Sequence, residues 1–198
     1  MVSEAVIVDS GGANLASLKY ALERLGARAY VSAEPRILAG AAHVILPGVG
    51  AAADAMQRLL TLGLAALIPT LTQPVLGICL GMQLLFERSA EGPAECLGVL
   101  PGEVRHIASA PGRPVPHMGW NQLANVCADP LLEGIVAQDY AYYVHSYAAA
   151  VGTTTLASVE YGGALSAVVR RGNFWGTQFH PERSAGTGAR LLDNFLRL

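Results

Sequence analysis

Lysine is almost missing from this chain: Lys19 is the only one among 198 residues. Charged residues make up 14%, and the formal net charge is -2. No basic patch stands out, which argues against a nucleic-acid surface. The cysteines, Cys79, Cys96 and Cys127, are odd in number, widely spaced and without a CxxC pair. Neither a disulfide framework nor a thiolate metal site fits them, and a reducing cytoplasm is the expected home. No apolar run is long enough to cross a bilayer; residues 59–68 are apolar but short, and Gly63 interrupts them. The opening MVSEAVIVDS has no basic region and no long apolar stretch, so no signal peptide is expected. The five histidines are scattered, with no carboxylate cluster beside them, so neither a metal nor a cofactor is expected.

What is present is apolar: 52% of the residues are hydrophobic, enough for one ordinary domain with a real core. The first ninety residues alternate strand and helix. Strands are expected at 5–9, 29–31, 41–46 and 74–78, and helices at 15–25, 51–60, 64–68 and 82–88. Asn14 is placed to cap the first helix and Gly26 to end it. This alternation implies a mainly parallel sheet with helices on both faces. After a proline- and glycine-rich stretch containing strand-like EVRHIA come short runs, AYYVHSY, LASVEY, ALSAVVRR and NFWGTQFH, that read as antiparallel strands. A helix is expected at 188–198. The whole, 1–198, reads as one α/β domain with a mixed, mostly parallel sheet.

Cys79 lies between the fourth of these strands and the helix after it, with Gly77 and Gly81 two residues away on either side. Such a small-x-nucleophile-x-small pattern is that of a nucleophile elbow. The turn leaves no room for Cβ atoms at the flanking positions, and a helix N-terminus favours the thiolate. The alternative is a buried cysteine on a core strand. A cysteine nucleophile needs a base, and the base needs an orienting group. His180 and Glu182, in Gln178-Phe179-His180-Pro181-Glu182, supply both if strand alternation points them the same way. The alternative here is an edge-strand histidine beside a solvated glutamate. An oxyanion hole can draw one donor from the N–H of Leu80 and a second from the loop Pro47-Gly48-Val49-Gly50, since such loops gather at the carboxyl edge of a parallel sheet; the alternative is a plain strand-to-helix turn.

GICLGMQ, with PGVG upstream and QFHPE downstream, closely resembles the class I (triad) glutamine amidotransferases, over nearly the whole chain. The resemblance implies a flavodoxin-like α/β fold. It also implies a Cys79-His180-Glu182 triad that cleaves the side-chain amide of glutamine through a γ-glutamyl thioester, with Gly48 and Leu80 at the oxyanion. Gln83 and the backbone near Ser146 and Tyr147 are implied to hold the glutamine. PHMGWN (116–121), the N-terminal VD..G.AN and HPERS look most like the glutaminase branch serving imidazole glycerol phosphate synthesis in histidine biosynthesis. In that branch the ammonia passes to a (β/α)8-barrel cyclase in a heterodimer. Asn14, Trp120, Asn121 and Arg183 are then implied to face the barrel. The opening motif departs from the family's usual D-Y-G-x-G-N, reading Asp9-Ser10-Gly11-Gly12-Ala13-Asn14, and Arg183 stands where lysine is frequent. Sister glutaminases for anthranilate, aminodeoxychorismate or pyridoxal phosphate synthesis, and a non-catalytic glutamine-binding subunit, are the alternatives. Trp120 as a core aromatic is the alternative to an interface residue.

Overall fold

The computed structural model describes residues 3–9, 11 and 15–198; the cap and partner contact expected of Asn14 fall outside them. In chain order the elements are β1 (Glu4–Val8), α1 (Leu15–Arg24), β2 (Arg28–Ser32), α2 (Pro35–Ala39), β3 (His43–Gly48), α3 (Ala52–Thr61), α4 (Leu64–Leu67), β4 (Val75–Cys79) and α5 (Leu80–Gln83). There follow β5 (Arg88–Ser89), β6 (Ala94–Glu95), β7 (Glu103–His106), β8 (His117–Ala124), β9 (Tyr140–His145), β10 (Tyr147–Ala149), β11 (Thr155–Glu160), β12 (Ala164–Arg171), β13 (Phe174–Thr177) and α6 (Ala185–Phe195).

The apolar runs of the first half are apolar for a reason of layering. Along β1, Ala5 and Ile7 enter one core cluster while Val6 and Val8 enter another. Along β3, Ile45 joins the first cluster, and Val44 and Leu46 the second. Helices cover both faces, so a parallel strand between them buries both of its sides. α1 and α6 pack on one face; α2, α3 and α4 contribute Leu38, Leu59 and Leu64 to the other. α1 stops at Gly26, whose φ of +81° is open to glycine, as its place in the sequence predicts.

The described residues form a nine-stranded sheet in the order β2-β1-β3-β4-β13-β12-β11-β8-β9, and a four-stranded one in the order β10-β7-β5-β6. From β2 to β13 every pairing is parallel; from β13 to β9 every pairing is antiparallel. The expected mixed sheet is therefore present, with four parallel and four antiparallel pairings where a mostly parallel one was expected. β13 differs from the antiparallel reading of NFWGTQFH in one respect: it is antiparallel to β12 but parallel to β4. It is also a central strand rather than an edge.

The helix expected at 82–88 is the one-turn α5 instead. Beyond it, the carbonyls of Leu84, Leu85, Phe86 and Glu87 accept N–H bonds from Leu97, Leu100, Gly98 and Cys96, so a helical ladder has no acceptors left there. β8, within the proline- and glycine-rich stretch, and α2 carry no clear sequence signal. α6 begins three residues ahead of the expected 188, because its first turn docks closely on the 3-10 turn Pro181–Arg183: a Cβ on Gly188 would lie 1.9 Å from the Pro181 carbonyl oxygen.

Glycine at 81 is a packing requirement. A Cβ there would sit 1.7 Å from the Leu46 carbonyl oxygen on β3. Gly81→Ala is expected to destabilise the chain by about 3 kcal/mol or more, or to prevent folding, whereas Gly152→Ala, with nothing within 4 Å, changes stability little. Equilibrium denaturant unfolding of the two variants measures the contrast.

Candidate active site

β4 carries Cys79 to the carboxyl edge of the parallel half-sheet, where the backbone turns sharply into α5. Cys79 has φ 53° and ψ -110°, a left-handed conformation rarely adopted by a residue with a side chain. The turn is held tight by its flanks: a Cβ on Gly77 would meet the Gly81 carbonyl oxygen and the Met82 nitrogen, each at 2.7 Å. The sulfur is buried, with 8% of the residue exposed, and as a thiol it lies 3.8 Å from the Val144 carbonyl oxygen.

The partner group arrives through β13. Its parallel register sets Thr177 against Ile78, so the three residues that follow run out alongside Cys79. The His180 backbone is then clamped to β9. Its N–H donates to the Tyr142 carbonyl at 3.0 Å, and its carbonyl accepts from the Ser184 hydroxyl at 2.7 Å. Ser184 in turn accepts the Tyr142 N–H at 2.9 Å. His180 Nδ1 is 2.9 Å from Glu182 Oε1. Strand alternation does not align this pair, as the sequence suggested; the strand has ended, and the 3-10 turn Pro181–Arg183 folds Glu182 back under the ring. With Nδ1 engaged by Glu182, Nε2 is the ring nitrogen left for Cys79, which lines the same cleft. The second carboxylate oxygen of Glu182 is buried and, among the described residues, has no partner, so the charge of Glu182 leans on His180.

Burial works against a charge on His180, but the bonds to Cys79 and Glu182 outweigh it and push the imidazole up to about 10. The other histidine of this cleft, His145, is pulled down to about 4, first by burial, against a bond to the Tyr147 carbonyl that favours its charge. One imidazole is thus held charged and its neighbour neutral.

The cleft has a volume of about 430 Å³, and its walls include Gly48, Cys79, Leu80, Gln83, Ser146, Tyr147 and His180. Gly48 pairs directly with Cys79 in the β3–β4 ladder. Leu80 is the first residue of α5, so its N–H has no acceptor within the helix. The Gln83 amide nitrogen donates both to the Tyr147 carbonyl at 2.8 Å and to Gln178 Oε1 at 3.0 Å. Only its carbonyl oxygen is left for a ligand, an acceptor suited to an ammonium group.

Of the remaining residues singled out from the sequence, Trp120 is 52% exposed on β8 and is not a core aromatic. The Arg183 guanidinium lies 4.9 Å over the Tyr142 ring, and Trp120 meets the same ring edge-on at 6.0 Å. Asn121 is committed to the chain's own groups: its amide donates to the Glu160 carbonyl at 3.0 Å and lies 3.2 Å from His117 Nε2. Three residues of the site are missing from the sequence reading. Gln178 is fully buried with its amide nitrogen 3.7 Å from the Cys79 sulfur, and Glu91 and His145 line the cleft. Gln178 had a usable signal in its place two residues before His180; Glu91 lies on a loop and His145 at the end of β9, and only the fold brings them to the cleft.

A family model described as glutamine amidotransferase class-I matches residues 6–198. A protein of Xanthomonas euvesicatoria pv. vesicatoria (strain 85-10) named imidazole glycerol phosphate synthase subunit HisH is 55% identical over 197 residues, covering 100% of this chain and 98% of its own length. A protein of the same name from Xylella fastidiosa (strain Temecula1 / ATCC 700964) is 52% identical, with the same coverage of both chains. Among solved structures, one described as glutamine amidotransferase superposes with a TM-score of 0.76 at 22% identity, over 98% of this chain and 97% of that one. The structure of PurLQS from Thermotoga maritima does so with 0.73 at 19% identity, over 100% and 98%. These two likenesses establish the fold.

The bonds to His180 yield a titration to measure. Its value in the fold is raised above the ordinary 6.5, so its stabilising contribution is full below that pH and is lost as the pH climbs through about 10. Followed by NMR, the His180 ring should hold its proton well past neutrality in the parent. It should lose that proton at distinctly lower pH in Cys79→Ala and in Glu182→Gln, each of which removes one of the bonds.

Proposed function

The chain belongs to the class-I glutamine amidotransferases, and we propose that it is the glutaminase subunit of imidazole glycerol phosphate synthase, with Cys79, His180 and Glu182 as its catalytic triad. The observation that carries this reading is the buried thiol on its strained turn, lining one cleft with an imidazole whose other face is bound to a carboxylate. A thiolate beside an imidazolium is a nucleophile with its general acid already loaded. The Cys79 sulfur attacks the carboxamide carbon of L-glutamine, and the carbonyl oxygen takes up negative charge. The N–H groups of Leu80 and Gly48 are the donors for that charge. As the C–N bond breaks, His180 gives its proton to the departing nitrogen, which leaves as ammonia, and a γ-glutamyl thioester remains on Cys79. A water molecule then surrenders a proton to His180 and attacks the thioester, and glutamate departs as the sulfur reclaims its charge. Glu182 holds the ring in the orientation that serves both halves. The carbonyl oxygen of Gln83, together with the backbone about Ser146 and Tyr147, receives the α-amino acid end of the substrate. Residues 1–198 act as a single amidotransferase domain that uses no cofactor.

The ammonia passes to a (β/α)8-barrel cyclase paired with this chain as a heterodimer. The last strand of the large sheet supports that reading. Met118, Trp120 and Tyr140, on the neighbouring strands β8 and β9, are 67%, 52% and 53% exposed, which is unusual for side chains so apolar. Trp120, edge-on to Tyr142, and Arg183, over the same ring, form the anchor of that surface. Among the described residues no helix is long and apolar enough to cross a membrane, in keeping with a cytoplasmic protein.

Cys79→Ala should fold normally and lose glutamine hydrolysis by about 10⁴-fold or more, with no alkylation at that position by a diazo-ketone analogue of glutamine. Release of glutamate at the parent rate would remove the nucleophile from this account. Trp120→Ala should weaken the complex with a co-expressed barrel cyclase by about 2 kcal/mol, roughly thirty-fold in Kd. Calorimetric titration of the two proteins reads that loss, and an unchanged Kd would move the interface elsewhere.

A further inference from the structure

One backbone carbonyl, that of Tyr147, fixes the direction of a hydrogen-bond chain that ends on the nucleophile. The Tyr147 oxygen can only accept. The Gln83 side chain therefore turns its NH₂ toward it, at 2.8 Å. The same nitrogen lies 3.0 Å from the Gln178 side chain, which must then present its own carbonyl oxygen to Gln83. The other end of the Gln178 amide, its NH₂, is thereby forced toward the Cys79 sulfur, at 3.7 Å. The second arm from Tyr147 is polarised by the same logic. His145 Nδ1 lies 2.9 Å from the Tyr147 oxygen and carries a proton, so the neutral ring offers Nε2 as an acceptor. His117 Nδ1, 3.1 Å away, donates to it, and His117 Nε2 accepts from the Asn121 amide at 3.2 Å. Both arms are self-consistent with one orientation of every side chain. Gln178 is fully buried, and its side-chain amide bonds to Gln83 through its oxygen and to Cys79 through its nitrogen.

We propose that Gln178 is a fourth catalytic residue, a fixed N–H donor that stabilises the Cys79 thiolate, with its polarity imposed by the Tyr147 carbonyl through Gln83. This rests on Cys79 being the nucleophile. A donor 3.7 Å from sulfur bonds more strongly to the thiolate than to the neutral thiol, and the thiol's own proton has the Val144 carbonyl to go to. Gln178 thus favours ionisation from the side of the sulfur reached through β13, while His180 takes up the proton on another. The ionisable and charged groups around the sulfur are His180, backed by Glu182, together with His145, Glu91 and Arg183 in the cleft wall. Substitutions at Gln178 leave all of them in place.

The test is the pH dependence of Cys79 alkylation by iodoacetamide, read on the Cys79 peptide by mass spectrometry in the full-length chain. In Gln178→Leu and Gln178→Glu the midpoint of the acid limb should rise by roughly one pH unit, a ten-fold slower alkylation at pH values below it. The leucine removes the donor, and the glutamate replaces it with an oxygen that repels the thiolate. A role confined to packing would lower the melting temperature and leave the midpoint where it is, and that result in a folded variant overturns the proposal. An independent reading needs no variant of Gln178. In the parent, the Gln178 side-chain amide resonances should titrate together with Cys79 and should stop doing so in Cys79→Ala; amide resonances that ignore the sulfur's ionisation also overturn it. Should Cys79 of the parent prove unreactive at every pH, the nucleophile assignment itself fails, which is a different outcome from an unmoved midpoint.

Discussion

The parallel pairing of β13 with β4 is the constraint on which the site depends. The two strands lie almost a hundred residues apart in the chain, yet their register, Thr177 against Ile78, decides how far each extends before it leaves the sheet. A slip of one residue would turn every side chain of β13 to the opposite face. Cys79 would keep its turn, but His180 would no longer arrive beside it. The register is held by burial on both faces: Phe174 packs into one core cluster and Trp175 into the other, and position 176 must be glycine because a Cβ there would press on Met82. The same apolar packing that stabilises the fold therefore aligns the two polar groups of the site.

The turn at Cys79 illustrates a second dependence. A positive φ at a residue with a side chain is costly in isolation, on the order of 1–3 kcal/mol. Here it persists because α5 lies against β3 so closely that Gly81 touches the Leu46 carbonyl, with no alternative path between strand and helix. The strain puts the sulfur at the cleft and the Leu80 N–H at the start of a helix. Position and electrostatic environment have one steric cause.

Polarity inside the site has a comparable economy. His180 and His145 share a cleft, yet one is held charged by its bonds to a thiol and a carboxylate, and the other is kept neutral by burial, against a backbone acceptor that favours its charge. Burial acts on both rings in the same direction; the difference lies in what each ring can bond. In the sheet's antiparallel half, exposed apolar side chains on β8 and β9 leave a surface that the chain does not itself cover.

Much of this was legible in the residues. The strand-helix alternation, the two-sided apolar runs and the glycines around Cys79 encode local and steric requirements, and a local requirement is visible wherever it is written in adjacent positions. The motif carrying His180 and Glu182 was also readable, although the geometry joining them is a 3-10 turn and not an extended strand. The one-turn α5 escaped the sequence because its would-be continuation bonds to residues 96–100, a competition no periodicity records. Gln178 and His145 escaped because a buried polar group acquires its role from partners far along the chain. The sequence by itself determined which groups were available and which backbone turns they needed. Tertiary structure alone decided which of them meet, because strand register and the direction of each hydrogen bond are settled only when distant segments are packed together.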